Sequence, residues 1–177
     1  MTQDYDEFIT HKTKRFESHG FEPLQIITPA FDWQSHVIQW GVRKGRAALF
    51  EDCGLGKTLQ QLEWGSQVCR HTGGSVIILT PLAVAHQSAK EATKVGLVAT
   101  VAESQSDVTS PGIWITNYEK LEHFDASQFV GVVLDESSIL KNLTGKMRKM
   151  LTDKFSQTPY RLCCTATPSP NDYTEFG

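Results

Sequence analysis

What this sequence lacks narrows its possible classes first. In its 177 residues no apolar run approaches the roughly 20 that a membrane-spanning helix needs. The opening stretch, Met1 to Glu7, is acidic and has no apolar core of the kind a secretory leader carries, so no leader is expected. Cysteine is scarce: Cys53, Cys69, Cys163 and Cys164 show neither C-x-x-C spacing nor a disulfide-framework pattern. That fits a reducing compartment, with Cys69, Cys163 and Cys164 expected as small buried hydrophobes. The six histidines lack metal-ligand spacing, and none is assigned a catalytic role. Positive charge is also in deficit, with 17 Lys and Arg against 20 Asp and Glu for a net charge of −3, which argues against a chain that coats nucleic acid over its whole surface. There are no internal repeats and no low-complexity tract.

What is present suits one compact domain. The chain is 40% hydrophobic and 21% charged, long enough to bury a substantial core and too short for two ordinary domains. Tyr5, Phe8, Ile9, Lys12 and Phe16 share one face of a short N-terminal helix, which is expected to end near His19-Gly20, and Pro23 and Pro29 mark an irregular connection. Helices are expected over 31–43, 56–71, 83–94, 117–121 and 143–154. Strands are expected over 47–50, 75–79, 97–101, 113–116, 129–134 and 160–164, with an exposed loop at 103–112. Apolar strands alternating with helices predict an α/β fold with a mainly parallel sheet covered by helices on both faces. Basic clusters occur at Arg43, Lys44 and Arg46, and at Lys141, Lys146, Arg148, Lys149 and Lys154, the second reading equally as a solvated helix face.

The stretch Glu51 to Thr58, Glu-Asp-Cys-Gly-Leu-Gly-Lys-Thr, falls at a strand-to-helix turn. Gly54 and Gly56 let the backbone curl so that successive N–H groups, from Gly54 through Leu55 and Gly56 to Leu59, face a polyphosphate at the positive end of a helix. Lys57 would reach the outer phosphates, and the Thr58 hydroxyl would supply one ligand to Mg²⁺. Glu51 stands where the strict phosphate-loop pattern has its first glycine, and a glycine-rich turn with a chance Lys-Thr is the alternative. The apolar strand 129–134 ends in Asp135-Glu136. In a parallel sheet such a pair arrives on the same edge as the loop, placing Asp135 to hold Mg²⁺ through water and Glu136 to orient and deprotonate the attacking water. A solvated acidic turn is the other reading.

Six blocks spread from Phe31 to Asn171 together resemble the N-terminal RecA-like lobe of a superfamily 2 helicase or translocase, most similar to the Swi/Snf-type branch and to bacteriophage helicases of that kind. Phe31-Asp32-Trp33-Gln34 resembles the upstream glutamine block, which implies that Gln34 reads the adenine edge. In this branch an acidic residue at the position of Glu51 is ordinary. Leu79-Thr80-Pro81-Leu82 and Ile115-Thr116-Asn117-Tyr118 look like the blocks that touch the nucleic-acid backbone, implying contacts from Thr80, Pro81, Thr116 and Asn117. Asp135-Glu136-Ser137-Ser138, trailed by Lys141-Asn142, is similar to the Asp-Glu-x-His block. Thr165-Ala166-Thr167-Pro168, with Asn171, is similar to the block coupling ATP state to nucleic-acid grip. Ser138 stands in place of the usual histidine, which the resemblance implies would contact the coupling block, and this puts the coupling geometry in question.

The resemblance implies a P-loop NTPase domain that uses ATP and Mg²⁺, with DNA as partner and a second RecA-like lobe that supplies arginines to the γ-phosphate. Residues 1–30 are read as a helical extension and 31–177 as the first lobe. The second lobe is absent from this sequence, so slow turnover and weak nucleotide binding are expected of it alone. The implied setting is the cytoplasm of a bacterial or phage-infected cell. A binding or regulatory module without turnover is the alternative from another class. A small-molecule kinase has no support, since no substrate lid is found.

Overall fold

The computed structural model describes residues 18–141 and 145–168. The expected N-terminal helix, as well as Asn142 and Asn171, lies outside these. The elements run α1 (Asp32–Lys44), β1 (Arg46–Phe50), α2 (Lys57–Thr72), β2 (Ser75–Thr80), α3 (Ala85–Lys94), β3 (Ala99–Val101), β4 (Ile113–Asn117), β5 (Phe129–Leu134), α4 (Gly145–Lys154) and β6 (Tyr160–Thr165), alternating except that only 3₁₀ turns separate β3, β4 and β5. All five strand pairings are parallel, in the order β1-β6-β5-β2-β4-β3. Every strand therefore ends on one edge of the sheet, and the segments after β1 and β5 meet there although some eighty positions apart in sequence.

Residues of the central strands alternate between the two faces, and both faces are buried. Val76 and Ile78 of β2, Ile113 and Ile115 of β4 and Val133 of β5 join a core covered by Ile38 and Val42 of α1, Leu62, Trp64 and Val68 of α2, and Ala85 and Ala92 of α3. Ile77 and Leu79, Trp114, and Val132 and Leu134 face the other way, onto Tyr118, Leu121, Phe124, Leu151 and Phe155. Burial on both faces explains why these strands read as continuous apolar runs rather than as alternating ones.

Several expected bounds shift for local reasons. The short helix after Asn117 is a 3₁₀ turn, Tyr118–His123, capped where Asn117 Oδ1 accepts from the Lys120 N–H at 3.1 Å. The third helix begins at Ala85 rather than Ala83, and β3 begins at Ala99 rather than Leu97. Residues 103–112 are not plain loop: Gln105–Asp107 forms a 3₁₀ turn, with Asp107 Oδ2 accepting from the Glu103 and Ser104 N–H groups. Lys154 is no solvated cation, because its ammonium donates to the carbonyls of Leu121 and Phe124 at 3.0 and 2.7 Å.

Before α1 the chain is a strap held by α2. Gln67 accepts from the Leu24 N–H at 2.7 Å and donates to the Leu24 and Gln25 carbonyls. Glu63, fully buried, pairs with Arg70 at 3.1 Å, and Arg70 also donates to Gln25 O. The strap delivers Phe31 and Gln34 to the loop that follows β1.

Candidate active site

The loop between β1 and α2 is built as a curl. Gly54 and Gly56 lie at φ +82° and +76°, a left-handed backbone that a Cβ disfavours. At Gly56 the reason is also one of space, since a Cβ there would sit 2.5 Å from Gln34 Nε2. Inside the curl the Lys57 ammonium donates to the carbonyls of Glu51 and Asp52, each at 2.9 Å. Those are two neutral partners for a full charge. Phosphate oxygens would serve it better, because charge-assisted hydrogen bonds are roughly twice as strong as neutral ones. Gln60, one turn along α2, donates to Glu51 Oε2 at 2.7 Å and fixes the start of the loop.

Gln34 is engaged at both ends of its amide, accepting from the Phe31 N–H at 2.9 Å and donating to Leu55 O at 3.0 Å. It thereby fastens the loop to α1, and a purine edge would have to replace one of these bonds. Phe31 itself is 70% exposed beside it.

The acidic pair stands across the sheet edge from the loop. The Asp135 N–H continues the ladder to Leu79 O at 2.9 Å, and its carbonyl accepts from the Tyr118 hydroxyl at 2.8 Å, so the backbone at the strand end is pinned twice. Its side-chain Oδ1 accepts from Gln61 Nε2 of α2 at 2.7 Å. Burial pushes the Asp135 carboxyl above the usual carboxylate range, against the Gln61 hydrogen bond and the Lys57 charge, which favour ionisation. Lys57, Asp135 and Glu136 therefore share one electrostatic neighbourhood.

Glu136 is the single described non-glycine residue in the left-handed region, at φ +50°. Such a backbone costs roughly 1–3 kcal/mol and persists where surrounding bonds hold it. Three hydroxyls do so, all on the same oxygen: Ser138 and Thr165 at 2.6 Å and Thr167 at 3.3 Å from Glu136 Oε1. Burial opposes ionisation of Glu136, but these donors and the Lys57 charge outweigh it, and the group lies below its ordinary value. The same cluster answers the question raised by Ser138. Its hydroxyl is 3.2 Å from that of Thr167, so serine makes the cross-contact between the two blocks that the resemblance gives to histidine.

The residues expected at nucleic acid are placed differently. Thr80 is fully buried, its hydroxyl turned to the carbonyls of Pro81 and Thr116. Thr116 and Asn117 are also buried, and only Pro81 is part-exposed. The surface at this end of the sheet is offered instead by Leu82, 65% exposed, at the mouth of a cavity of about 100 Å³ lined also by His86, Glu103 and Lys120.

Sequence reasoning missed Gln60, Gln61 and Tyr118, the residues that tie these parts together. A signal for the first two existed: consecutive glutamines one turn after Lys57-Thr58, at positions a helix packed on a sheet normally gives to apolar side chains. Among the described residues no group of three or more His, Cys, Asp or Glu could hold a metal unaided.

A curled loop after the first strand, an acid pair ending another, and a parallel sheet between helices define an α/β domain of the RecA-like P-loop class. The particular family follows from the sequence, since residues 33–177 match the model of the SNF2-related domain, and the chain belongs to that family. The fold is that of the N-terminal lobe of a Swi/Snf-type superfamily 2 helicase. One similar solved structure is the Sulfolobus solfataricus SWI2/SNF2 ATPase core in complex with dsDNA, at 26% identity and TM-score 0.69, covering 86% of this chain and 36% of that one. The UvsW helicase from bacteriophage T4 is similar in fold at 15% identity and TM-score 0.67, covering 94% of this chain and 60% of that one. The Pyrococcus furiosus Hef helicase domain, at 16% identity and TM-score 0.65, covers 81% of this chain and 34% of that one. The chain thus spans about a third of the SWI2/SNF2 core and of the Hef domain. A search of curated protein sequences found no match.

Proposed function

We propose that this chain is the ATP-binding lobe of an ATP-dependent DNA helicase or translocase, which hydrolyses ATP when a second lobe completes the site. The observation that carries the reading is that the parallel sheet brings the helix begun by Lys57 to the end of β5, where Gln61 of that helix bonds Asp135 at 2.7 Å, although Lys57 and Asp135 are some eighty positions apart. The residues present suit Mg²⁺. Thr58 and Asp135 are hard oxygen donors, and they are too few to hold an ion unaided, which matches a cation that arrives bound to phosphate and keeps several waters. When bound, Mg²⁺ would neutralise charge developing on the β- and γ-phosphates.

The chain's own residues supply the remainder. The backbone N–H groups of Gly54, Leu55, Gly56 and Leu59 cradle the phosphates at the start of α2, and Lys57 exchanges the carbonyls of Glu51 and Asp52 for phosphate oxygens. Glu136, kept ionised by its hydroxyl donors, orients the water and takes its proton. A water oxygen–phosphorus bond forms, the bridging bond to the γ-phosphorus breaks, and ADP and phosphate leave. Thr165 and Thr167 touch Glu136 directly, so a change of charge there reaches the coupling block through two hydrogen bonds. DNA as partner is supported by the likeness to a SWI2/SNF2 core solved with dsDNA.

Calorimetric titration of Mg–ADP tests the site. Lys57→Ala should weaken binding roughly 10- to 100-fold, as the loss of a charged hydrogen bond of about 1.5–3 kcal/mol implies. Unchanged binding would remove the nucleotide assignment.

A further inference from the structure

Gln61 is placed where no apolar packing need explains it. It is only 2% exposed, one helical turn past Lys57, and its amide reaches out of α2 to the end of β5. Nε2 donates to Oδ1 of Asp135, the residue that follows β5, at 2.7 Å. Burying an amide is costly unless it is hydrogen-bonded, so the bond to Asp135 holds this one in place. Thr58 and Gln61 belong to the same rigid helix end, and any shift of the loop reaches Asp135 through a single bond.

We infer that Gln61 is a positioning residue that registers the Asp135 carboxylate on the phosphate-loop helix, and so sets how tightly the site takes up the divalent cation with nucleotide. This deepens the nucleotide-site reading and rests on it. The underlying logic is that of groups that orient a metal ligand without touching the metal, whose loss typically costs 10- to 100-fold in metal affinity. A purely structural glutamine would affect folding and would treat nucleotide with and without cation alike.

The test is a Mg²⁺ titration at fixed fluorescent ADP, on the whole chain. Gln61→Met keeps the volume and removes the donor. It should raise the Mg²⁺ concentration for half-saturation about ten-fold or more while leaving Mg²⁺-free ADP affinity unchanged. In an Asp135→Asn background, Gln61→Met should then produce no further change in the Mg²⁺ requirement. A readout that needs no Gln61 variant guards against misfolding: in the NMR spectrum of the native chain, the Gln61 side-chain amide should be protected from exchange and lose that protection in Asp135→Ala, which removes the acceptor. An unaltered Mg²⁺ requirement in Gln61→Met, an equal loss with and without Mg²⁺, or a Gln61 amide indifferent to Asp135→Ala would each overturn the inference while leaving the nucleotide reading standing. A native chain that binds ADP with no dependence on Mg²⁺ would overturn both.

Discussion

The two halves of the sheet's functional edge are built on opposite principles. At β1, β6 and β5 the motif side chains project into a shared space and are bridged by groups from other elements, as in Lys57 to Glu51 and Asp52, Gln61 to Asp135, and Thr165 to Glu136. At β2 and β4 the motif side chains turn inward: Thr80 bonds neighbouring carbonyls, Asn117 caps a 3₁₀ turn, and the Thr116 hydroxyl is buried without a partner. A motif residue thus need not be a contact residue. In the first half the side chains bond one another across elements, whereas in the second they bond the local backbone or lie buried, and Leu82 is left at the surface.

This contrast can be broken or sharpened by substitution. The largest effect is expected in the inward half, where Ile115 is wholly buried between layers. Ile115→Ala should lose about 2–5 kcal/mol of stability in urea unfolding, the usual cost of such a truncation in a core. A smaller loss is expected from Thr165→Val, which removes one of three donors to Glu136. Its cost should be about 1 kcal/mol, discounted from the range for bonds to charged groups because Glu136 is part-exposed. A null result would mean that the hydroxyl cluster does not hold the left-handed backbone.

Asp135→Asn should act in the opposite sense on stability. The folded-state pKa of Asp135 is raised by burial, so the native chain holds that proton more firmly than the unfolded one. The ionised group therefore costs stability, and the cost grows as pH rises from the ordinary carboxylate value upward through the raised one. Without nucleotide, the melting temperature of Asp135→Asn should exceed that of the native chain at neutral pH, and the gain should shrink as pH falls into that window. A variant less stable at neutral pH would show that Gln61 and Lys57 more than offset the burial.

The smallest and most discriminating comparison is between Thr80→Val and Thr116→Val. Losing the one hydroxyl proton that Thr80 turns to two carbonyls should cost about 1 kcal/mol, while losing the unpartnered hydroxyl of Thr116 should be neutral or slightly stabilising. If Thr116→Val instead weakened salt-dependent DNA binding, the hydroxyl would be a contact after all.

Much of this arrangement is legible in the sequence, and the remainder is not, for physical reasons. The strands β2, β4 and β5 are apolar on both faces, so their places could be read within a residue of their ends. Once a parallel sheet was expected, the meeting of Lys57 with Asp135 and Glu136 followed from topology. Asp135's tie to Gln61 did not, because it depends on which face of α2 meets β5, and periodicity in a helix with Gln60, Gln61, Glu63 and Gln67 all buried points the wrong way. The inward turn of Thr80 and Thr116 was hidden likewise, since a threonine at a strand end has the same letter whether its hydroxyl faces a phosphate or a carbonyl. The contact from Ser138 to Thr167 required the left-handed bend at Glu136, which no composition announces.

The most direct test is spectroscopic, with Mn²⁺ in place of Mg²⁺ so that bound and free cation can be counted by electron paramagnetic resonance. The account predicts one tightly held Mn²⁺ per chain when ADP is present and none without it, with a marked loss of that site in Asp135→Asn. Equal Mn²⁺ uptake in the presence and absence of ADP, or full uptake by Asp135→Asn, would contradict it.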